Sequence, residues 1–231
     1  MHKREQTMKI GILACSALSY YVRAAQEKYH TDYPLIEVDR NYHDRPKLLR
    51  ELLEEAMEKV PEDVDTLLVA MGACGNCWEG ISWRGTLVIP RMDDCVTILL
   101  HQDDTWHPNL KQAGHFYQID EENEHFLLTN MYQKFVEKYG ERRAKRISEM
   151  MFGNYTDVDV VDTGVFDCHT EAYVAKMQKE ADFIHVPLNF VKGSNHVIEK
   201  LITGKWDDQF IILEPGMKIE AQQFLQRPER K

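Results

Sequence analysis

The five cysteines are the residues of this 231-residue chain whose type and placement point most directly to chemistry. They lie at positions 15, 74, 77, 95 and 168, and each follows a short apolar segment at a predicted turn between a strand and a helix. A helix N-terminus favours the thiolate form, which binds metal ions and acts as a nucleophile. The placement therefore predicts a metal site or a nucleophilic site.

The ligand set and the bound group stay open at the level of residue spacing. Cys74 and Cys77 form a C-x-x-C pair, which can chelate one ion or act as a redox couple. Soft thiolates favour Zn²⁺ or an iron–sulfur cluster over magnesium or calcium. The plainer alternative is that some cysteines only pack in the core, where this residue type is common. The remaining ligands would come from Cys15, Cys95, Cys168 or His169.

Four further side chains in the same predicted turns are candidate catalytic groups. Asp94 can act as a general base beside Cys95, and His43 can carry a proton in the loop after the second strand. Arg91 can hold a substrate carboxylate or phosphate, and Glu171 can support the site as an acid. The structural alternatives are a helix cap for Asp94, a solvated loop for His43, a surface ion pair for Arg91 and a favourable first-turn charge for Glu171.

Strand-like and helix-like segments alternate along the chain, which predicts an α/β fold with a Rossmann-like, mainly parallel sheet flanked by helices. Residues 48–60 carry the clearest helical stripe, residues 65–71 read as a buried strand, and residues 184–187 read as a short strand. Ligands bind at the carboxyl ends of such strands, where the cysteines are expected. We predict a polar tail over residues 1–8 and one α/β unit over 9–231. The polar region 103–124 is either a boundary between two sub-domains or a long loop.

Charge and hydropathy exclude several classes of partner. The chain has 28 basic and 38 acidic residues, so its net charge of −10 repels nucleic acids and anionic membranes. No apolar run approaches the roughly 18 residues that a membrane span needs. Without a visible secretion signal, we expect a cytoplasmic protein with reduced thiols and a small-molecule substrate. An apolar surface on a helix would also allow a homo-oligomer to form.

Short motifs spread from residue 9 to about residue 224 resemble the bacterial and archaeal family named domain of unknown function 1638, DUF1638. The resemblance implies that Cys15, Cys74 and Cys95 form the core trio, with Cys77 and Cys168 as local additions. The motifs are LAC at 13–15, NYHDRP at 41–46, GACGN at 72–76, LVIPR at 87–91, DC at 94–95, VDTG at 161–164, TEAY at 170–173 and EPG at 214–216.

The resemblance also implies a place in one-carbon metabolism, because family members occur beside corrinoid methyltransferase systems. We therefore expect a metal-dependent methyltransferase or a methyl-transfer component whose corrinoid is presented by a partner protein. Three thiolates would hold zinc, or a cluster with one free iron, and leave a position open to the substrate. The alternatives are a non-catalytic protein that binds metal or corrinoid, and a thiol-redox protein that uses Cys74 and Cys77.

Overall fold

The computed structural model describes residues 8–43, 45–120 and 124–226, so the predicted polar tail lies outside the described residues except for Met8. The chain has a mixed α/β fold with mainly parallel sheets, which confirms the predicted fold class. It divides into two compact units, residues 1–110 with 195–231 and residues 111–194. The first boundary lies inside the polar region 103–124, and no sequence pattern marked the second boundary.

The first unit contains a five-stranded sheet with the order β2-β1-β3-β4-β8. Strands β1 to β4 run parallel, and β8 is antiparallel to β4. The five residues of β3 are all buried, as expected for a parallel strand that is covered on both faces. The strands are β1 Ile10–Cys15, β2 Leu35–Val38, β3 Thr66–Ala70, β4 Thr86–Pro90 and β8 Phe210–Leu213.

The helices of the first unit form because their apolar residues recur on one side. In the second helix, for example, Leu49, Leu53, Ala56 and Met57 are buried, and Pro46 occupies the first turn, where its missing N–H has no partner to lose. The helices are α1 Ser16–Tyr29, α2 Pro46–Glu58, α3 Cys95–Leu100, α7 His196–Thr203 and α8 Gln222–Leu225.

The second unit contains a three-stranded parallel sheet with the order β5-β6-β7. One cluster of its core joins Val160 to Leu127, Cys168, Tyr173 and Met177. The elements are β5 His115–Gln118, β6 Asp157–Asp162, β7 Leu188–Lys192, α4 Leu128–Tyr139, α5 Glu141–Phe152 and α6 Glu171–Ile184.

The predicted strand over residues 184–187 is wrong. Ile184 is the last residue of α6, and His185 follows it in the left-handed conformation, with φ 60°. The N–H of Val186 donates to the carbonyl of Ala181, which ends the helix. The strand begins at Leu188, which pairs with Val158, so the apolar residues before it belong to the end of the helix and the turn.

No helix among the described residues has the length and apolar character that a membrane crossing requires.

A buried histidine, His101, directly follows the last residue of α3. The side chain of His101 is 1% exposed, and its Nδ1 lies 2.8 Å from the carbonyl of Thr97. The N–H of His107 donates to Nε2 of His101 over 3.2 Å. Because Nε2 accepts this bond, Nδ1 must carry the single proton and the imidazole is neutral. Burial lowers the pKa of His101 below its ordinary value.

We predict that His101 makes the first unit sensitive to acid. The unfolded chain takes up a proton near the ordinary pKa of histidine, whereas the folded chain does so only at lower pH. The free energy of unfolding should therefore decrease as the pH falls through that window, by at most about 1.4 kcal/mol per pH unit. Urea unfolding of the wild type and of His101→Asn across this range should show a difference that shrinks in acid. Parallel curves would contradict the prediction.

Candidate functional site

Three of the predicted cysteines lie together at the carboxyl edge of the first sheet. Cys15 is the last residue of β1, Cys74 follows β3, and Cys95 follows β4 as the first residue of α3. These three strands are parallel neighbours, so their carboxyl ends meet at one edge. The thiol of Cys95 lies close enough to both other thiols for their ionisations to influence one another. The structure therefore places at one sheet edge the trio that the family resemblance implied.

A backbone contact between two loops sets the position of Cys74 beside Cys95. The N–H of Ala73 donates to the carbonyl of Met92 over 2.8 Å, and the N–H of Cys74 donates to the carbonyl of Asp93 over 2.9 Å. A Cβ atom at Gly72 would lie 2.6 Å from Cα of Asp94. Only a residue without a side chain permits this approach, so Gly72 is a requirement of the site's geometry.

Cys74 has a strained backbone and is the most accessible of the three. Its φ is +44°, and Gly75 and Asn76 also have positive φ values of 69° and 64°. A left-handed conformation costs a residue with a Cβ atom about 1 kcal/mol. Cys15 and Cys95 are buried, whereas Cys74 is partly exposed. Cys74 is therefore the member of the trio that borders solvent, although its thiol is itself buried.

His43 joins the trio through Cys15, because its Nε2 lies 3.6 Å from Sγ of Cys15. His43 follows a short 3-10 turn, Arg40–Tyr42. The N–H of Arg40 donates to Oγ of Ser16 over 3.1 Å, and this bond holds the turn against the start of α1. Burial lowers the pKa of His43, but Cys15 and the negative charge of Asp94 outweigh burial, so the net shift is upward.

All three thiols have pKa values above the ordinary value of cysteine. For Cys15, the interaction with the Cys95 thiol acts first, and burial adds to it. For Cys95, the interaction with Cys15 lowers the pKa, but the interaction with Cys74 and burial raise it well above its ordinary value. For Cys74, the interaction with Cys95 lowers the pKa, yet burial and the nearby charges produce a net rise. Neighbouring thiolates repel each other, so the trio holds its protons unless a cation is present.

The four groups form a chain in the order Cys74, Cys95, Cys15, His43. Two other groups among the described residues have three ligand atoms that all lie within 4.8 Å of one another, and the cysteine trio is not one of them. Cys95 is the member that interacts with both other thiols. The trio would therefore have to rearrange for all three sulfurs to bind one ion.

Asp94 caps the helix that carries Cys95. Its Oδ1 accepts the N–H of Thr97 over 2.9 Å, which is the structural role that the sequence offered as its alternative. Its charge also reaches Cys74, Cys95 and His43 and raises their pKa values, so it belongs to the electrostatic surroundings of the trio.

Arg91 lies near the trio in sequence, but its guanidinium binds backbone carbonyls. Nη1 donates to the carbonyls of Gln223 and Gln226, and Nη2 donates to that of Phe210 over 3.2 Å. These bonds hold the segment around α8 against β8. The structure therefore shows Arg91 anchoring the C-terminal segment. None of these contacts involves a substrate anion, so the predicted binding of a carboxylate or phosphate stays a prediction.

The thiol of Cys77 is hydrogen-bonded to the backbone and not to the trio. Its side chain is 1% exposed, and its thiol donates to the carbonyl of Ala73 over 3.7 Å. Burial raises the pKa of Cys77 to about 12. A thiol with this pKa is almost entirely protonated near neutral pH, so Cys77 is a poor nucleophile.

Glu171, Cys168 and His169 belong to the second unit and not to the unit that holds the trio. Glu171 is an exposed residue in the first turn of α6. Nε2 of His169 lies 3.0 Å from Oδ2 of Asp162, and Cys168 is hydrogen-bonded to the same carboxyl group. Burial and Asp162 raise the pKa of Cys168 to about 11.

The sequence reasoning missed the carboxylates of the second unit. Asp162, at the end of β6, completes a group with Cys168 and His169, and a further group joins His115 to Asp157 and Asp159. The available signal was the alternation of aspartates in DVDVVD at 157–162, which places every second side chain on one face of a strand.

We predict that Gly72→Ala separates the loop after β3 from the segment before α3. The added Cβ atom would overlap the backbone at Asp94, so Cys95, which is 5% exposed, should be alkylated faster by a soluble maleimide. The matched control is Gly216→Ala, where the left-handed φ of 78° adds strain but no atom lies within 4 Å. Peptide mass spectrometry identifies the modified cysteine. Equal alkylation of Cys95 in both variants would contradict the proposed role of Gly72.

Comparisons with known proteins identify a family. A family model described as "Protein of unknown function (DUF1638)" matches residues 38–202 of the 231 residues. No curated protein and no solved structure matches the chain. The matched range covers most of the chain and includes His43, Cys74 and Cys95, so the chain belongs to the DUF1638 family.

Proposed function

We propose that this protein binds a single metal ion through Cys15, Cys74 and Cys95. The observation that supports the proposal is that three cysteines from three neighbouring strand ends lie at one sheet edge, with Cys95 close enough to both others to affect their pKa values. Three thiols in contact cannot all ionise without a cation, and a bound ion would supply the missing positive charge. The thiols would then release their protons to solvent as the ion binds.

Zinc is the ion that we propose, because thiolate ligands favour it over hard ions such as magnesium or calcium. A tetrahedral zinc ion with Zn–S bonds of about 2.3 Å holds its sulfurs roughly 3.8 Å apart, so the three sulfurs, which do not all lie within 4.8 Å of one another, would move closer on binding. An iron–sulfur cluster is the alternative, and its ligand sulfurs would bind separate iron atoms. Three thiolates leave a fourth position on zinc, and His43 beside Cys15 would hydrogen-bond the bound sulfur.

The reaction that we propose is methyl transfer to a thiol. Zinc in the open arrangement lowers the pKa of a coordinated substrate thiol and so generates a thiolate nucleophile. Partly exposed Cys74 marks the side from which a substrate would enter. The methyl donor, a corrinoid presented by a partner protein, rests on the family resemblance. All five cysteines are free, and a site of reduced thiols would suit the cytoplasm.

Two alternatives differ in how much support they have. A metal-binding accessory protein without turnover would use the same ligands and is separated from an enzyme only by assay. A redox couple of Cys74 and Cys77 is less well supported, because the pKa of Cys77 is about 12 and its thiol is bonded to a backbone carbonyl. Redox-active pairs need at least one thiol with a lowered pKa.

Metal analysis of anaerobically purified protein tests the site. We expect one zinc ion per chain in the wild type, and a loss of about tenfold or more in Cys15→Ser, Cys74→Ser and Cys95→Ser, because each variant removes a thiolate ligand. Cys168→Ser is the matched control, since that buried cysteine lies in the second unit and should leave the zinc content unchanged. A brown protein with iron and sulfide would favour the cluster, and unchanged metal in all three variants would refute the site.

A turnover assay separates the enzyme from the accessory protein. Zinc-loaded protein, methylcobalamin and a small thiol should give the methyl thioether and cob(I)alamin, which is followed by its visible spectrum. Cys74→Ser should reduce the rate to that of the uncatalysed reaction, because the thiol would no longer meet a complete zinc site. Zinc binding without any acceleration by the wild type would support the accessory protein instead.

A further inference from the structure

A second polar cluster lies on one face of the three-stranded sheet in the second unit. Asp157 and Asp159 are two residues apart on β6, so they project from the same face. His115 of β5 pairs with Asp157, and Asn189 of β7 pairs with Asp159. The strand register therefore places these four side chains side by side.

Hydrogen bonds fix the orientation of each group in the cluster. The amide Nδ2 of Asn189 donates to Oδ1 of Asp157 over 2.9 Å and to Oδ1 of Asp159 over 3.0 Å. The two remaining oxygens face the imidazole of His115, where Oδ2 of Asp159 lies 2.6 Å from Nδ1 and Oδ2 of Asp157 lies 3.4 Å from Nε2. Each ring nitrogen thus has a different carboxylate as its neighbour.

The two distances indicate different roles. A separation of 2.6 Å between Asp159 and Nδ1 is a strong hydrogen bond to a carboxylate that is 1% exposed. In a neutral ring, this bond places the proton on Nδ1 and leaves the lone pair on Nε2. The 3.4 Å between Nε2 and Asp157 is long for a hydrogen bond, but it suits two ligands of one ion with bonds of roughly 2.1 Å. A carboxylate behind the imidazole is the usual arrangement for a histidine that binds a metal.

The charges of this cluster and its access to solvent also favour a bound cation. Two carboxylates face one imidazole, so a neutral ring leaves two negative charges that a divalent cation would balance. The side chain of Asp157 is 22% exposed and that of His115 is 17% exposed, so an ion can enter from solvent.

We propose that His115 and Asp157 bind a divalent transition-metal ion, with Asp159 as the positioning residue that holds the imidazole. Imidazole and carboxylate ligands suit Mn²⁺, Fe²⁺ or Zn²⁺ better than they suit soft ions. Water or an oxygen atom of a small anionic ligand completes the coordination, since the protein supplies only two direct ligands. The site is separate from the cysteine trio and does not depend on the proposed function.

The first test observes the histidine ring directly in the wild type. Protein labelled with ¹⁵N at histidine is titrated with Mn²⁺, which prefers oxygen and nitrogen to sulfur and so reports on this site rather than on the trio. We expect one proton on the His115 ring, at Nδ1, and paramagnetic broadening of its signals before those of the other histidines. A doubly protonated ring that Mn²⁺ does not broaden would overturn the proposal, because the imidazolium would then balance the carboxylates alone.

Variants form the second test, with Mn²⁺ binding followed by electron paramagnetic resonance. His115→Gln and Asp157→Asn should abolish binding, and Asp159→Asn should weaken it by about 10–100-fold, as loss of a supporting carboxylate does. The matched control is Asp162→Asn on the same strand, which should bind like the wild type. Loss of binding only in the control would show that Mn²⁺ binds at the group around Asp162, and this result would refute the proposal. Circular dichroism checks that each variant folds. The titration of the wild type, described above, tests the proposal without any variant.

Discussion

The contact between two loop backbones is the constraint on which the cysteine site depends. The amides of Ala73 and Cys74 bind the carbonyls of Met92 and Asp93, and Gly72 lies against Asp94 too closely for any side chain. Without this contact, the sulfurs of Cys74 and Cys95 would lie at the same edge of the sheet but not beside each other. The parallel sheet supplies the edge, and the contact between the loops brings the two sulfurs within reach.

The same geometry creates an electrostatic conflict that a cation would relieve. The contacts and burial that place Cys15, Cys95 and Cys74 together also raise their pKa values, so the site as described holds thiols. A soft divalent ion would convert this unfavourable group of neighbours into a ligand set. The strained backbone of Cys74 and its partial exposure fit a residue whose position matters more for the site than for local stability.

The sequence predicted the α/β class and the edge of the sheet on which the trio lies, because apolar segments and the turn residues that follow them are local signals. It did not predict where Arg91 would point, since its partners lie 119 to 135 residues away in the chain. Residue spacing alone also did not separate Glu171 from the trio, because a unit inserted between residues 110 and 195 leaves no periodic signal. The cluster around Asp159 depends on strand register, which is a property of paired strands rather than of one segment.

X-ray absorption at the zinc edge of the purified protein tests the central claim most directly, because it measures which atoms surround the ion. The account predicts three sulfur neighbours at about 2.3 Å from a single zinc ion, and the loss of one sulfur from this shell in Cys95→Ser. A shell of only nitrogen and oxygen atoms around the zinc, or a sulfur shell that is unchanged in Cys95→Ser, would contradict it.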